Sequence, residues 1–351
     1  MRNLKVEISK DSPKASWDKI LEAAKEEGGF LQSAGWARVL EATHKAQPVF
    51  LEVSDSVDMI AQALVMKRQN FDRQKRRRRS PLPYLECFDG PVIINREMVF
   101  ITVEEIVKST LSLARRFLAS HVTFSSAHTS AWRNDERITA IYRKHGFTST
   151  VWATYLIDLR LSEEDLFKNL RHAARKNVKK CWRQGLQVVK MKSVHEFEST
   201  YWDAFQRSKR YFGRKSTPCF YESWEDGMSN YYHYYIVKDK FGKVMACLGM
   251  YIFNGLATEI ASAISPQAYE NKIPAQDLIH WELLLEAKRM GCHTFDLAGI
   301  NPFPKTSKES GIKRFKEKWG GTYVEYNIYL KQMMPWLSRM RTFIESLRQA
   351  I

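Results

Sequence analysis

Residues 311–321 read Gly-Ile-Lys-Arg-Phe-Lys-Glu-Lys-Trp-Gly-Gly. Lys313, Arg314, Lys316 and Lys318 put four cations within six residues, threaded with Phe315 and Trp319 and closed by the glycine pair. The stretch follows a strand-like run, Thr294-Phe295-Asp296-Leu297-Ala298-Gly299-Ile300. A short helix of this kind at the end of a strand suits two tasks: holding a polyanion and offering an ammonium group to a reacting carbonyl.

Working outward, the residues before it read as a helix over Pro274 to Met290. A meander precedes that, over Tyr234 to Lys238, Val244 to Tyr251 and Leu256 to Ala263. Its turns are Asp239-Lys240-Phe241-Gly242 and Asn254-Gly255, the Asn-Gly pair being a strong hairpin signal. Earlier still, Ser193 to Tyr211 reads helical and Leu186 to Lys190 extended. Ser162-x-x-Asp165 starts a long helix to Arg183.

The first half repeats the pattern. Ser16 to His44 reads mostly helical with a Gly28-Gly29 break, and Val49 to Val53 and Met59 to Lys67 form a strand pair. Val103 to Ser120 is helical, Val122 to Ser126 extended, Trp132 to Lys144 helical and Val151 to Leu159 extended. Ala114-Arg115-Arg116-Phe117 through Phe124 echoes Ala287-Lys288-Arg289-Met290 through Phe295. Lys144-His145-Gly146-Phe147-Thr148 echoes Lys318-Trp319-Gly320-Gly321-Thr322. The offset, about 170 to 185 residues, implies an internal duplication.

A chain of 351 residues favours two cores over one. The net charge of +16 suits nucleic acid, phosphorylated ligands or an anionic membrane surface, without choosing among them. No apolar run reaches the roughly 18 residues a membrane span needs, and the first residues lack a secretory signal. Five scattered cysteines and nine scattered histidines show no metal-ligand spacing, so a reducing cytoplasm and no metal are expected. Residues 70–83, with six cations among 73–79, read as a charged loop near an anionic ligand.

Helix 163–183 divides into two faces. Leu166, Leu170, Ala173, Ala174, Val178 and Cys181 mark an apolar stripe. Arg171, His172, Arg175, Lys176, Lys179, Lys180 and Arg183 occupy the rest, and no acid follows Asp165. Such a face either tracks phosphates or is simply solvated. Nucleophile-elbow, Walker and dinucleotide motifs are absent from the sequence. The link Ser265 to Gln276 contains no glycine, so side chains would crowd a pyrophosphate brought against its backbone. That counts against a CoA donor.

Five blocks, in order, resemble the FemABX aminoacyltransferases: Gln32-Ser33-x-x-Trp36; Gly90-Pro91-Val92; Arg175-Lys176-Asn177-Val178-Lys179-Lys180 followed by Gly185; Trp281 to Gly291 with Phe295-Asp296-Leu297-Ala298-Gly299; and Gly311-Ile312, Phe315-Lys316, Gly320-Gly321. The resemblance implies an α/β (α+β) fold of two tandem acetyltransferase-like (GNAT-type) domains, with mixed central sheets flanked by helices. The first domain would span 1–153, joined by the tail 326–351, and the second, carrying the acyl-transfer site, 154–325. It implies transfer of an aminoacyl group from aminoacyl-tRNA to an amine of a nucleotide- or lipid-linked peptidoglycan precursor, in cell-wall biogenesis and cell shape, with no further cofactor.

By that resemblance Lys316 is the catalytic residue at the ester carbonyl. Arg210, Arg38, Trp36 and Phe315 would bind substrate, with Lys45 an alternative to Arg38. Lys313, Arg314, Lys318, Arg175, Lys176, Lys179 and Lys180 would hold tRNA. Ile93-Ile94-Asn95 stands where members often have an acid after the Gly-Pro-Val turn, so Asp89 or Glu259 is the substitute proton acceptor, or substrate and solvent serve. The compact form, without a long helical arm in the second domain, is expected. The tail helix, with Met333, Met334, Trp336, Leu337, Met340, Phe343, Ile344 and Leu347 at helical spacing, reads as core or as a peripheral contact with the inner membrane face. Two rivals remain at this stage: an acyl-CoA-dependent N-acyltransferase of envelope polysaccharide or lipid synthesis, and a non-catalytic RNA-binding protein.

Overall fold

The computed structural model describes residues 4–10, 13–25, 28–56, 58–72, 77–192 and 231–334. Arg210, the helix expected over 193–211 and the tail helix beyond residue 334 lie outside them. The chain divides into two compact units, residues 1–151 with 326–351, and residues 152–325.

In the first unit the elements are β1 (Lys5–Lys10), α1 (Trp17–Ala23), α2 (Ala34–His44), β2 (Gln47–Ser54), β3 (Met59–Asp72), β4 (Arg77–Phe88), β5 (Val92–Ile93), α3 (Val99–Arg116), β6 (His121–Ser125) and α4 (Glu136–Lys144). Strand β7 (Thr148–Asp158) carries the chain into the second unit. There follow α5 (Glu163–Asn169), α6 (His172–Arg183), β8 (Gln187–Lys190), β9 (Tyr232–Lys238), β10 (Val244–Phe253), β11 (Leu256–Ile264), α7 (Pro266–Glu270), α8 (Ala275–Arg289), β12 (Thr294–Asp296) and α9 (Ser307–Glu317). Strand β13 (Thr322–Gln332) brings the chain back.

Both units follow one plan. In the first, β2, β3 and β4 form an antiparallel meander, α3 crosses over, and β6 returns parallel to β4. In the second, β9, β10 and β11 form the meander, α8 crosses over, and β12 returns parallel to β11. An antiparallel strand then lies on the far side of each returning strand: β13 beside β6, and β7 beside β12. This is the duplication that the sequence echoes announce. The fold is mixed α/β with helices flanking mixed sheets, as expected.

Burial explains the helices. Helix α8 buries Leu278, Ile279, Trp281, Leu283, Leu284 and Ala287, so it is apolar nearly all round and sits inside its unit. Helix α6 buries Ala174, Val178 and Cys181 of the stripe read from the sequence, while Ala173, also assigned to it, is exposed. The buried side chains share a core with Tyr235, Val237, Met245, Leu248 and Met250 of the meander. The first unit closes its own core over Val49, Leu51, Leu85, Val107, Phe124 and Tyr142.

The Gln-Ser-x-x-Trp block has a local structural job. Gln32 Oε1 accepts the Leu64 N–H at 2.7 Å and its amide donates to Phe88 O at 2.6 Å, tying β3 to β4. Ser33 Oγ accepts from the Trp36 N–H at 3.0 Å and caps α2. Gly90 of the Gly-Pro-Val turn abuts the Gln32 amide, where a Cβ would come within 2.6 Å.

The structure corrects several sequence expectations. The single helix over 163–183 is two helices, because Leu170 and Arg171 are extended (ψ 140° and 149°). The Arg171 N–H reaches out to Lys318 O at 2.9 Å, a partner no local pattern reveals. The loop expected over 70–83 is mostly strand, with Phe71 opposite Arg78 and Asp72 opposite Arg77. The glycine-free link holds a short helix, α7, capped by the Ser265 side chain. The helix expected from Trp132 starts at Glu136, where Asp135 caps it. Strands β1 and β13 escape the sequence patterning.

Candidate active site at a strand fork

Strands β11 and β12 pair in parallel over only three positions, ending at Thr258 opposite Asp296. Beyond that point they part. Strand β11 continues against β10, with Glu259 opposite Met250 and Ile260 opposite Gly249. The chain after β12 turns to β7 instead: the Leu297 N–H donates to Tyr155 O at 3.1 Å, and Ile300 bridges Ala153. A fork opens between the two strands.

A tight turn shapes one arm of the fork. Ala298 adopts a left-handed conformation (φ 59°), and its N–H donates to the buried Asp296 carboxylate at 2.9 Å. The Thr154 hydroxyl contacts the same carboxylate and lies 2.9 Å from Ala298 O.

Helix α9 supplies the cation that bridges the fork. It starts with a full capping box, Thr306 with Glu309. Its last turn carries Lys316, which is only 7% exposed. Lys316 Nζ donates to Ala298 O at 3.0 Å, approaches Gly299 O at 3.5 Å, and pairs with Glu259 Oε1 at 3.2 Å. These acceptors come from both arms of the fork, and they match the three N–H donors of an ammonium.

Glu259 has a second partner. Its Oε2 lies 2.8 Å from His280 Nε2. The other ring nitrogen, Nδ1, lies 2.6 Å from Gln276 O. A carbonyl and an ionised carboxylate both accept, so the ring stands between two acceptors, Gln276 O on Nδ1 and the Glu259 carboxylate on Nε2. The ring is clamped by Trp319, stacked at 5.4 Å, and by the edge of Phe315 at 4.9 Å. Burial works against the charge on Glu259. The His280 contact and the Lys316 ammonium outweigh it and hold the carboxyl below its ordinary range.

A second pair reinforces the first. Lys318 Nζ donates to Asp277 Oδ1 at 2.6 Å and sits 4.0 Å from the centre of the Phe315 ring. Burial pulls the Lys318 ammonium below the usual lysine range, with Asp277 opposing. Asn177 of α6 donates to the same Asp277 oxygen at 3.2 Å, so the basic helix is fastened to this cluster. Asp277 lies in the first turn of α8. Near this cluster, Thr258 Oγ1 at the fork and Trp319 Nε1 are buried with no hydrogen-bond partner among the described residues.

The residues singled out from sequence fall in different settings. Lys316, Phe315 and Lys318 meet in this cluster. Lys313 donates to Pro302 O at 2.9 Å, and Arg314 is exposed. Arg175 spends its guanidinium on the Lys168 and Leu170 carbonyls at the end of α5, and Lys180 reaches Lys272 O at 3.5 Å. Lys176 and Lys179 are exposed. Trp36 and Arg38 belong to the first unit, where Trp36 packs beside Phe30 at 5.9 Å and Arg38 is exposed, as is Lys45. Glu259, weighed from sequence as a proton acceptor, lies on Lys316; Asp89, its alternative, belongs to the first unit. His280 and Asp277 escaped the sequence reading. Their only signal is a polar residue on an otherwise apolar helix. Among the described residues no cluster of histidine, cysteine or carboxylate side chains has the make-up of a metal site.

No family model matches the sequence, and no curated protein is similar to it. The fold, however, is similar to that of FemX, at 12% identity and a TM-score of 0.72 over 95% of this chain and 99% of that one. It is also similar to L-PGS from Bacillus licheniformis, at 14% identity and a TM-score of 0.53 over 92% and 93%. A tandem GNAT protein from the clavulanic acid biosynthesis pathway gives 10% identity and a TM-score of 0.56 over 93% and 98%. The likeness is one of fold, and the fold is the tandem GNAT-type arrangement of FemX.

Proposed function

We propose that the chain is an N-acyltransferase that moves an aminoacyl group from aminoacyl-tRNA to an amine on the stem peptide of a peptidoglycan precursor. The observation that carries this reading is the buried Lys316 ammonium, held across a strand fork by Glu259 and two backbone carbonyls. Aminolysis of an ester needs a neutral amine, a clamp for the oxyanion and a proton path, but no enzyme nucleophile. The cluster offers the clamp. Lys316 exchanges its longest contact, to Gly299 O, for the carbonyl oxygen of the ester as negative charge develops there. Glu259 supplies the buried counter-charge to that ammonium at 3.2 Å. The amine nitrogen bonds to the carbonyl carbon, the bond to the ribose oxygen breaks, and the amine's proton leaves with that oxygen or to solvent.

The similarity to FemX supports the reading, as do the exposed cations of α6. A CoA-dependent reaction fits less well. The link before α8 holds the short helix α7, and the first turn of α8 is taken up by the buried Asp277–Lys318 pair. Among the described residues no helix is long and apolar enough to cross a membrane.

The test is incubation with a mixture of charged tRNAs and a cell-wall precursor, followed by mass spectrometry of the stem peptide. The expected result is a mass gain of one aminoacyl residue that disappears with uncharged tRNA. Acyl transfer from acetyl-CoA without tRNA would overturn the proposal.

A further inference from the structure

Helix α6 carries one side chain that its cationic face does not account for. Trp182 is 46% exposed, on a helix otherwise lined by Lys176, Lys179 and Arg183. It is not loosely placed. Its ring stacks on Phe167 at 6.0 Å and 18° between planes. Phe167 is itself wedged edge-on against the buried Trp281 at 5.0 Å. The indole N–H reaches Glu282 Oε1 at 3.4 Å. The stack covers one face of the indole, fixes its orientation and leaves the remainder in solvent.

The charges around it are ordered by the helix. Lys179 stands three residues (~4.5 Å of helix rise) before Trp182 and lies 5.7 Å from the centre of the Phe167 ring. Arg183 is adjacent and donates to Lys179 O at 3.4 Å. Lys176 precedes Lys179 by a further three residues on the same side. Arg175 and Lys180 are half-buried and reach backbone carbonyls, whereas Lys176, Lys179 and Arg183 are exposed.

We infer that Trp182 is a stacking platform for an unpaired base of RNA, with Lys176, Lys179 and Arg183 holding the flanking phosphates. This rests on the reading that the donor is an aminoacyl-tRNA, and it assigns a surface to that donor's single-stranded end. A rigid aromatic ring set among cations at helical spacing is the arrangement that binds single strands, because every base offers a face to stack on and every linkage a charge. A lipid surface is the poorer fit. Interfacial helices bury a broad apolar face, and here a single indole stands among cations with the Glu282 carboxylate at its edge.

The experiment measures fluorescence anisotropy of a labelled single-stranded RNA ending in the tRNA acceptor sequence, with the full chain, across a salt series. Trp182→Ala is expected to weaken binding about 5- to 150-fold, with Trp182→Phe close to the parent. The salt slope should be unchanged in Trp182→Ala, since a stack releases no counterions, and should fall by about 0.7 in Lys179→Ala. Equal binding by the parent and Trp182→Ala would overturn the platform and leave the tRNA donor standing. Absence of RNA binding by the parent would overturn both. Tight binding to phosphatidylglycerol vesicles that RNA does not displace would overturn it in favour of a lipid surface.

Discussion

Lys316 and Glu259 form an ion pair of 3.2 Å with both side chains 9% exposed, across the point where two parallel strands separate. A strand pair that stays hydrogen-bonded leaves no room between its backbones. Here the ladder stops after three positions, and one ammonium takes over what the next backbone groups would have done. That replacement puts a positive charge inside the unit, with its counter-charge and two carbonyls already in place.

Lys316→Ala should retain the fold, because Glu259 keeps its His280 partner, and should lose acyl transfer by about 10²- to 10³-fold, the scale of one oxyanion donor. RNA binding should be largely kept. Circular dichroism, anisotropy and the mass-spectrometric transfer assay read the three properties separately. Undiminished transfer would remove Lys316 from the reaction.

Glu259→Ala removes the one carboxylate that pairs with the Lys316 ammonium among the described residues and leaves that charge buried among carbonyls. A stability loss of about 3–5 kcal/mol is expected from urea unfolding. A loss under about 1 kcal/mol would mean that the pair is effectively solvated, as exposed pairs are.

The same pair sets a pH dependence. Glu259 titrates below its ordinary value in the folded chain, so its ionised form contributes stability that is present above about pH 4.5 and drains away as pH falls through the folded value. The difference in unfolding free energy between the parent and Glu259→Gln should therefore be constant near neutrality and shrink in acid below pH 4.5. A difference that grows on acidification would contradict the assignment.

Thr154→Val removes the hydroxyl that contacts Asp296 and lies beside Ala298 O. The buried carboxylate then lacks one donor, at a cost of about 1–3 kcal/mol. Because Ala298 O also holds Lys316, transfer should fall along with the melting temperature. A variant with parental melting and parental transfer would show that the turn does not depend on this hydroxyl.

Two glycines of the opening stretch should respond in opposite directions. Gly320 has φ 74°, and a Cβ there would sit 2.3 Å from Asn169 O, so Gly320→Ala should cost about 1–3 kcal/mol or more. Gly311 lies in α9 with nothing within 4 Å of its added Cβ, so Gly311→Ala should stabilise by roughly 0.5–1 kcal/mol. Differential scanning fluorimetry of the two variants checks both signs.

Much of the fold is written locally. The glycine-closed helices, the Asn254-Gly255 hairpin and the apolar stripe of α6 each depend on neighbours within a few positions, and each forms as the pattern implies. The break at Leu170 and Arg171 does not, since it is paid in a hydrogen bond to Lys318, far along the chain. The cysteines are scattered in the sequence, and Cys87, Cys181, Cys247 and Cys292 are buried thiols.

The candidate site divides in the same way. Sequence alone singled out Lys316 by the density of cations around it, and marked Glu259 as an available acid. It also determined the two-fold repetition of strand, helix and glycine, because periodicity and turn chemistry act over short range. Only the tertiary structure decided that His280 stands behind Glu259, that Asp277 neutralises Lys318, and that the strands part beside them. Those pairings join residues from separate strands and helices, and a buried charge selects its partner by distance in space, which no spacing along the chain encodes.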